Sequence, residues 1–170
     1  MADELVDIVN EKDEIVSQGW KSFCRQEGLF HRVAAVLLFD SQGKVWLQKR
    51  AKTKNTGAGL LDYSASGHVP QGESYEISAV RELEEELGIK TELKLANKNV
   101  VESIDDSGSK IRHIIQVYTG TYEGKFKIQE EELDSVALYN LENIKKMISK
   151  NPKEFTEGFK MGFKSYMGRR

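Results

Sequence analysis

The stretch that decides the fold runs from residue 67 to residue 89 and reads GHVPQGESYEISAVRELEEELGI. Its second half has the pattern of an α-helix, with Ser74 placed to cap the N-terminus and Gly88 placed to end the helix. Apolar residues recur on one side of this helix, and we expect that side to be buried. The members of this apolar stripe are Ile77, Val80, Leu83 and Leu87.

Three acidic residues are predicted on the other side of the same helix. Glu82, Glu85 and Glu86 stand at spacings i, i+3 and i+4, so they are neighbours on one face. Like charges at these spacings repel by about 0.2–0.5 kcal/mol per pair. A divalent cation such as Mg²⁺, which prefers oxygen ligands, would turn that repulsion into attraction. A run of glutamates by itself is more often a solvated helix face, so the residues around it must decide.

The residues around the glutamates follow a fixed spacing. Its members are Gly67, Glu73, Arg81, Glu82, Leu83, Glu85, Glu86, Gly88 and Ile89. This spacing resembles the Nudix box, GX5EX7REUXEEXGU with U an aliphatic residue, and every position matches. The resemblance implies an α+β Nudix fold, in which a mixed β-sheet flanked by helices carries a loop–helix–loop motif. It also implies Mg²⁺-dependent hydrolysis, with Mn²⁺ as a substitute, of a diphosphate bond in a nucleoside diphosphate linked to another group.

The resemblance also assigns roles within the box. Four residues would bind the metal ion: Glu82, Glu85 and Glu86 through their carboxylates and Gly67 through its carbonyl oxygen. Glu73 and Arg81 would form a charged pair that braces the loop against the helix and supports the metal ligands. Metal ions in such sites neutralise phosphate oxygens, lower the pKa of bound water and orient its attack.

The general base stays open at this point. One of the glutamates of the box can serve, and in several relatives a glutamate from a later loop does so. Residues 128–135, IQEEELDS, offer Glu130, Glu131 and Glu132. We favour Glu132, with solvated side chains as the alternative for all three.

The N-terminal half resembles a second branch of the superfamily, the type I isopentenyl-diphosphate isomerases. The similarity runs without a gap from His31 to His68. In those isomerases the position of Ser66 is a catalytic cysteine, and the positions of His31 and His68 are metal ligands. Two acidic ligands of the isomerases fall near Ile111 and His113 and are missing, so we expect all three histidines to be structural, with a relic metal site at His31 and His68 as the alternative. The missing thiol favours hydrolysis, with an isomerase or a non-catalytic diphosphate-binding regulator as the alternatives.

Two basic residues match isomerase positions that hold the substrate diphosphate. They are Arg50, which can offer a bidentate fork, and Lys54, which carries a mobile point charge. We predict that both bind the diphosphate. The alternative is that residues 49–54, KRAKTK, form a solvated strand end.

The rest of the chain completes a mixed α+β pattern. Strands are predicted at residues 4–9, 31–40, 45–50, 60–69, 91–104 and 110–124, and residues 14–20 form either a strand or an irregular segment. Helical segments are predicted at residues 20–28, at 141–150 and from Pro152 onward, where Phe155, Phe159 and Phe163 should pack in the core. Asp105 and Asp106 belong to a predicted turn.

Bulk properties bound the function further. The chain has 170 residues, one cysteine and a formal net charge of −2, which predicts one domain over residues 1–170 with an N-terminal strand extension over about 1–30. The charge gives no support to binding of nucleic-acid polymers or membranes. We expect a cytoplasmic protein whose partner is a small-molecule diphosphate, and a homodimer remains open.

Overall fold

The structure is a computed structural model that describes residues 3–104, 108 and 110–169. The predicted turn at Asp105 and Asp106 lies outside the described residues. None of the described helices combines the length and the apolar character needed to cross a bilayer.

The described residues form an α+β fold, as predicted. The strands are β1 (Leu5–Val9), β2 (Ile15–Trp20), β3 (His31–Phe39), β4 (Val45–Arg50), β5 (Leu61–Asp62), β6 (Ala65–His68), β7 (Lys94–Ile104), β8 (Lys110–Thr121) and β9 (Leu133–Tyr139). The helices are α1 (Lys21–Glu27), α2 (Tyr75–Leu87), α3 (Leu141–Lys150) and α4 (Glu157–Gly168), with a short 3₁₀ turn at Pro152–Glu154. Strand β9 was not predicted from the sequence.

Strand β3 lies at the centre of the sheet, as its nearly continuous apolar sequence predicts. It pairs with β8 in parallel and with β6 in antiparallel orientation. Its side chains alternate between two cores. Ala34, Val36 and Leu38 face the core that contains α2, whereas Ala35 and Leu37 face the core that contains α4.

Helix α2 has the predicted ends but a different buried face. The Ser74 hydroxyl accepts a hydrogen bond from the backbone of Ile77, and Gly88 takes a left-handed conformation that ends the helix. Ile77 is 59% exposed, so its assignment to the buried stripe was wrong. The helix docks instead through Tyr75, Ala79, Leu83 and Leu87, because these side chains face β3 and its neighbours.

Glu86 was expected on the side of α2 away from the core, and this expectation was wrong. It is only 3% exposed and lies among the buried residues of the helix. Burial does not leave its carboxylate unpaired, because Gln48 in β4 and Ser66 in β6 donate hydrogen bonds to it.

The C-terminal aromatic residues pack as predicted, on a helix that begins later than expected. Phe155, Phe159 and Phe163 are buried, and successive rings stack with centroids 5.5 and 5.4 Å apart. Helix α4 begins at Glu157 because Thr156 caps it, accepting a hydrogen bond from the backbone of Phe159. Pro152 instead opens the 3₁₀ turn.

Candidate functional site

The candidate site lies where the last two turns of α2 cross strand β6. Glu82 and Glu86 are one helical turn apart, and the carboxylate of Glu82 lies directly against Gly67 in β6. A Cβ atom at position 67 would collide with that carboxylate. A glycine at position 67 therefore makes room for the carboxylate of Glu82. This is a reason for its place in the motif apart from any metal binding by its carbonyl oxygen.

The carboxylate of Glu86 is held by two donors on one oxygen. The side-chain Nε2 of Gln48 in β4 donates to Oε2 at 3.1 Å, and the backbone N–H of Ser66 in β6 donates to the same atom at 3.0 Å. Burial, together with the nearby charge of Glu82, raises the pKa of Glu86 well above its usual value. Without a cation, the site therefore favours a protonated Glu86.

Glu82 has a similar electrostatic environment. Burial raises the pKa of Glu82 to about 7, although the guanidinium of Arg81 opposes the shift. Two glutamates with raised pKa values on adjacent turns, Glu86 buried and Glu82 half-buried, mark a place where added positive charge would be favoured.

Arg81 links the acidic residues of the motif. Its Nη1 lies 2.8 Å from Glu82 Oε1 and 3.1 Å from Glu85 Oε2, and its Nε lies 3.4 Å from Glu73 Oε2. Its Nη2 also donates to the backbone oxygen of His68 at 3.3 Å. The side chain of Glu85 is 53% exposed, so it stands at the rim of the site rather than inside it.

The predicted base and diphosphate-binding residues lie on a second side of the site. Lys54 forms an ion pair with Glu132, and the charges of Glu132 and Arg50 both influence the pKa of Glu86. The guanidinium of Arg50 also bonds the carbonyl oxygen of Thr56 at 3.2 Å. Glu130 and Glu131, the other candidates in this loop, are exposed.

Arg50 additionally contacts Asp62, with Nη1 3.3 Å from Oδ2. These contacts fix the loop between β4 and β5. A role for Arg50 in binding the diphosphate therefore stays a prediction, beside its role as a loop anchor.

Three histidines lie close together next to this site. The sequence did not predict that His113 would be one of them. His31 of β3 pairs directly with His113 of β8. His68 comes from β6, where it pairs with Val33 of β3. Their ligand atoms all lie within 4.8 Å of one another. Burial lowers the pKa of His31 to about 4 and the pKa values of His68 and His113 well below the usual value.

The tautomer of His31 is suited to metal binding. Its Nδ1 lies 3.0 Å from the carbonyl oxygen of Leu29, so a proton on Nδ1 leaves the lone pair of Nε2 free. Within the described part of the chain, the buried Nε2 atoms of His31 and His68 have no hydrogen-bond partner. Neutral imidazoles in this arrangement can hold a borderline metal ion such as Zn²⁺.

Gln48 was not predicted from the sequence as part of the site, and the expectation that His113 is structural stays a prediction. Gln48 stands two residues before Arg50, so both side chains leave β4 on the same face, and this period of two could have signalled its place. His113 reaches His31 through strand pairing across 82 positions, and nothing local in the sequence indicates that register.

The sequence matches one protein family over most of its length. The NUDIX domain model matches residues 29–159, most of the chain. The chain belongs to the NUDIX domain family.

Relatives of this NUDIX protein carry names of two kinds. An isopentenyl-diphosphate Delta-isomerase of Serratia proteamaculans is 33% identical over 158 residues, which are 92% of this chain and 88% of that protein. The uncharacterised Nudix hydrolase YfcD of Escherichia coli is 43% identical over 86 residues, 51% of this chain and 48% of that protein. The hydrolase relatives support a diphosphate hydrolase, and the isomerase relatives fit the alternative equally.

Solved structures confirm the predicted Nudix fold. The crystal structure of a MutT NUDIX hydrolase from Burkholderia pseudomallei superposes with a TM-score of 0.62 at 22% identity, covering 79% of this chain and 96% of that one. The crystal structure of DR0079 from Deinococcus radiodurans superposes with a TM-score of 0.76 at 24% identity, covering 91% of this chain and 93% of that one. The chain thus places its acidic helix on a known Nudix scaffold.

Proposed function

We propose that this NUDIX protein hydrolyses a diphosphate bond, in a nucleoside diphosphate linked to another group, by Mg²⁺-dependent attack of water on phosphorus. The observation that carries the proposal is a pair of carboxylates one helical turn apart, the half-buried Glu82 against Gly67 and the buried Glu86, and burial raises the pKa values of both. When bound, Mg²⁺ would supply the charge that offsets the phosphate oxygens and would lower the pKa of the attacking water.

The donor set fits such an ion. Mg²⁺ takes oxygen ligands and is usually bound through one or two carboxylates plus substrate phosphates. Glu82 and Glu86 provide two carboxylates beside the backbone of Gly67, and Glu85 provides a third at the rim. Mn²⁺ accepts the same ligands, so it should substitute for Mg²⁺.

The remaining residues support this arrangement. Arg81 holds the carboxylates of Glu73, Glu82 and Glu85 in place through direct contacts. A phosphate group bound by Lys54 would compete with Glu132 for the ammonium group. A Glu132 released in this way can take the proton of the attacking water.

The test is to replace Glu86 by Gln and to measure Mg²⁺-dependent release of products from nucleotide sugars, dinucleotides, nucleoside triphosphates and isoprenoid diphosphates. We expect the rate to fall at least about 100-fold, because metal-based charge stabilisation is worth several kcal/mol and each 1.36 kcal/mol is tenfold. Glu84→Gln is the matched control, since Glu84 lies on the same helix but pairs with Lys90 in solvent. An unimpaired Glu86→Gln enzyme, or a wild type inactive on every substrate, contradicts the proposal.

Isomerisation of isopentenyl diphosphate is the second candidate, favoured by the isomerase relative that matches 92% of the chain. The chemical obstacle is Ser66, because a serine hydroxyl cannot supply the thiolate of the isomerases. A double-bond shift seen by NMR in wild-type protein would establish this alternative. Tight binding of a diphosphate without turnover would instead indicate a regulator.

A further inference from the structure

Gln48 is a buried polar residue that the proposed mechanism has not used. It lies in the middle of β4, is 0% exposed, and shares its strand face with Trp46 and Arg50. Burying an amide costs free energy unless hydrogen bonds replace those to water. An apolar residue would serve the core better at this position, so the amide needs a specific reason.

The contacts of Gln48 give that reason. Its Nε2 donates to Glu86 Oε2 at 3.1 Å, and the backbone N–H of Ser66 donates to the same oxygen at 3.0 Å. Two donors occupy Oε2, so the free lone pairs of the carboxylate are on Oε1. Of these two donors, only Gln48 uses its side chain, so it is the one that substitution can remove.

The other end of the same amide is unsatisfied. Within the described part of the chain, Gln48 Oε1 is buried and has no hydrogen-bond partner. Burying an acceptor without a partner costs about 1–3 kcal/mol, so the amide is explained by the bond that its Nε2 makes with Glu86.

We propose that Gln48 is a positioning residue for the divalent cation: it fixes Glu86 through Oε2, so that Oε1 is presented to the ion. This inference depends on the proposed function, because it assumes that Glu86 is a ligand. Residues that orient metal ligands in this way typically change metal affinity 10- to 100-fold when they are replaced.

The first test measures Mn²⁺ binding directly, by electron paramagnetic resonance of the free ion, without any substrate. Gln48→Met keeps the length of the side chain and removes both polar ends. We expect its dissociation constant for Mn²⁺ to rise about 10- to 100-fold. Gln42→Met, at an exposed glutamine of the turn after β3, should bind as the wild type does. Unchanged affinity in Gln48→Met overturns the inference.

The Glu86→Gln variant distinguishes a failure of the proposed function from a failure of the proposed role of Gln48. If Glu86→Gln binds Mn²⁺ as tightly as the wild type, the carboxylate site itself is wrong, and the proposed function fails. If Glu86→Gln binds weakly but Gln48→Met binds normally, only the role of Gln48 fails. A purely structural role for Gln48 would lower the melting temperature and leave the Mn²⁺ affinity of the folded protein unchanged.

A second measurement needs no variant and decides the question if Gln48→Met does not fold. In wild-type protein with ¹⁵N-labelled glutamine, substoichiometric Mn²⁺ should broaden the side-chain amide signals of Gln48 before those of Gln42. Equal broadening of the two amides would place the ion elsewhere and overturn the inference.

Discussion

At the scale of single residues, the candidate site depends on Gly67 and Glu82 fitting together. The backbone of Gly67 is not in a left-handed conformation, and the three atoms nearest to an added Cβ all belong to the carboxylate of Glu82. That carboxylate is the far end of a flexible side chain and can move aside. The substitution should therefore disturb the site far more than it disturbs the fold.

For Gly67→Ala we expect the free energy of unfolding to change by less than about 1 kcal/mol, since a flexible side chain absorbs the clash. Mg²⁺-dependent activity should fall about 100-fold, because a displacement near 1 Å in a catalytic arrangement can cost that much. Urea unfolding and product release measure the two effects. Gly168→Ala, where a Cβ meets nothing within 4 Å, is the control. A large loss of stability with intact activity per folded molecule would contradict this account.

The raised pKa of Glu82 predicts a pH-dependent stability. Its folded-state pKa of about 7 exceeds the usual value of 4.5, so the folded protein holds this proton more tightly than the unfolded chain does. The contribution of Glu82 is thus fully present below about pH 4.5, is lost as the pH rises to about 7, and is constant above that. His31, with a pKa lowered to about 4, acts in the opposite direction between its folded and unfolded values.

Glu82→Gln measures the effect of Glu82 together with its influence on the pKa of Glu86, because the histidines titrate alike in both proteins and cancel in the difference. Relative to wild type, the variant should gain on the order of 2 kcal/mol in free energy of unfolding between pH 5 and pH 7.5, measured with urea in the presence of a chelator. The gain should vanish when Mg²⁺ is added, because the cation stabilises the ionised carboxylate. A difference that does not vary with pH would contradict the shielded position of Glu82.

At the scale of helices and strands, the sequence predicted the features that neighbouring residues determine. The caps Ser74 and Gly88 gave the ends of α2, and the apolar sequence of residues 31–40 gave the central strand. The rotation of α2 was wrong because a buried Glu86 needs donors from β4 and β6, and the sequence does not state which strands lie beneath the helix. Strand β9 was missed because it directly follows an acidic run and carries Asp134 and Ser135, which favour turns.

The histidine cluster is likewise a product of strand pairing. His31, His68 and His113 come from three neighbouring strands, and their neutral rings favour a borderline metal over Mg²⁺. We predict that Zn²⁺ binds here independently of the carboxylates. Titration of the chelator-treated protein should show a site that His113→Ala weakens at least tenfold and that Glu86→Gln leaves unchanged. Equal Zn²⁺ affinity in His113→Ala would show that the cluster is structural.

At the scale of the whole molecule, Asp13 connects the N-terminal strands to the rest of the sheet. The matched family region begins at residue 29, so the hairpin of β1 and β2 lies outside it. Asp13 Oδ1 accepts hydrogen bonds from Arg32 Nε at 2.6 Å and from the hydroxyl of Tyr75 at 3.0 Å, and Oδ2 accepts one from Lys98 at 2.5 Å. One carboxylate therefore fastens the hairpin to β3, α2 and β7.

This arrangement predicts that the hairpin and the sheet unfold together, as one domain over residues 1–170 would. Trp20 lies in β2 and Trp46 in β4, so Trp46→Phe leaves fluorescence that reports the hairpin, and Trp20→Phe leaves fluorescence that reports the sheet. Both urea transitions should coincide. Asp13→Ala should shift them together by about 1.5–3 kcal/mol, because it removes the charged partner of Arg32, whose Nη2 keeps only the hydrogen bond to the backbone oxygen of residue 13. Asp13→Asn should cost less, since asparagine tolerates the positive φ of 67° and can still accept hydrogen bonds. An Asp13→Ala protein in which only the Trp20 signal shifts would mean that the hairpin is an independent attachment.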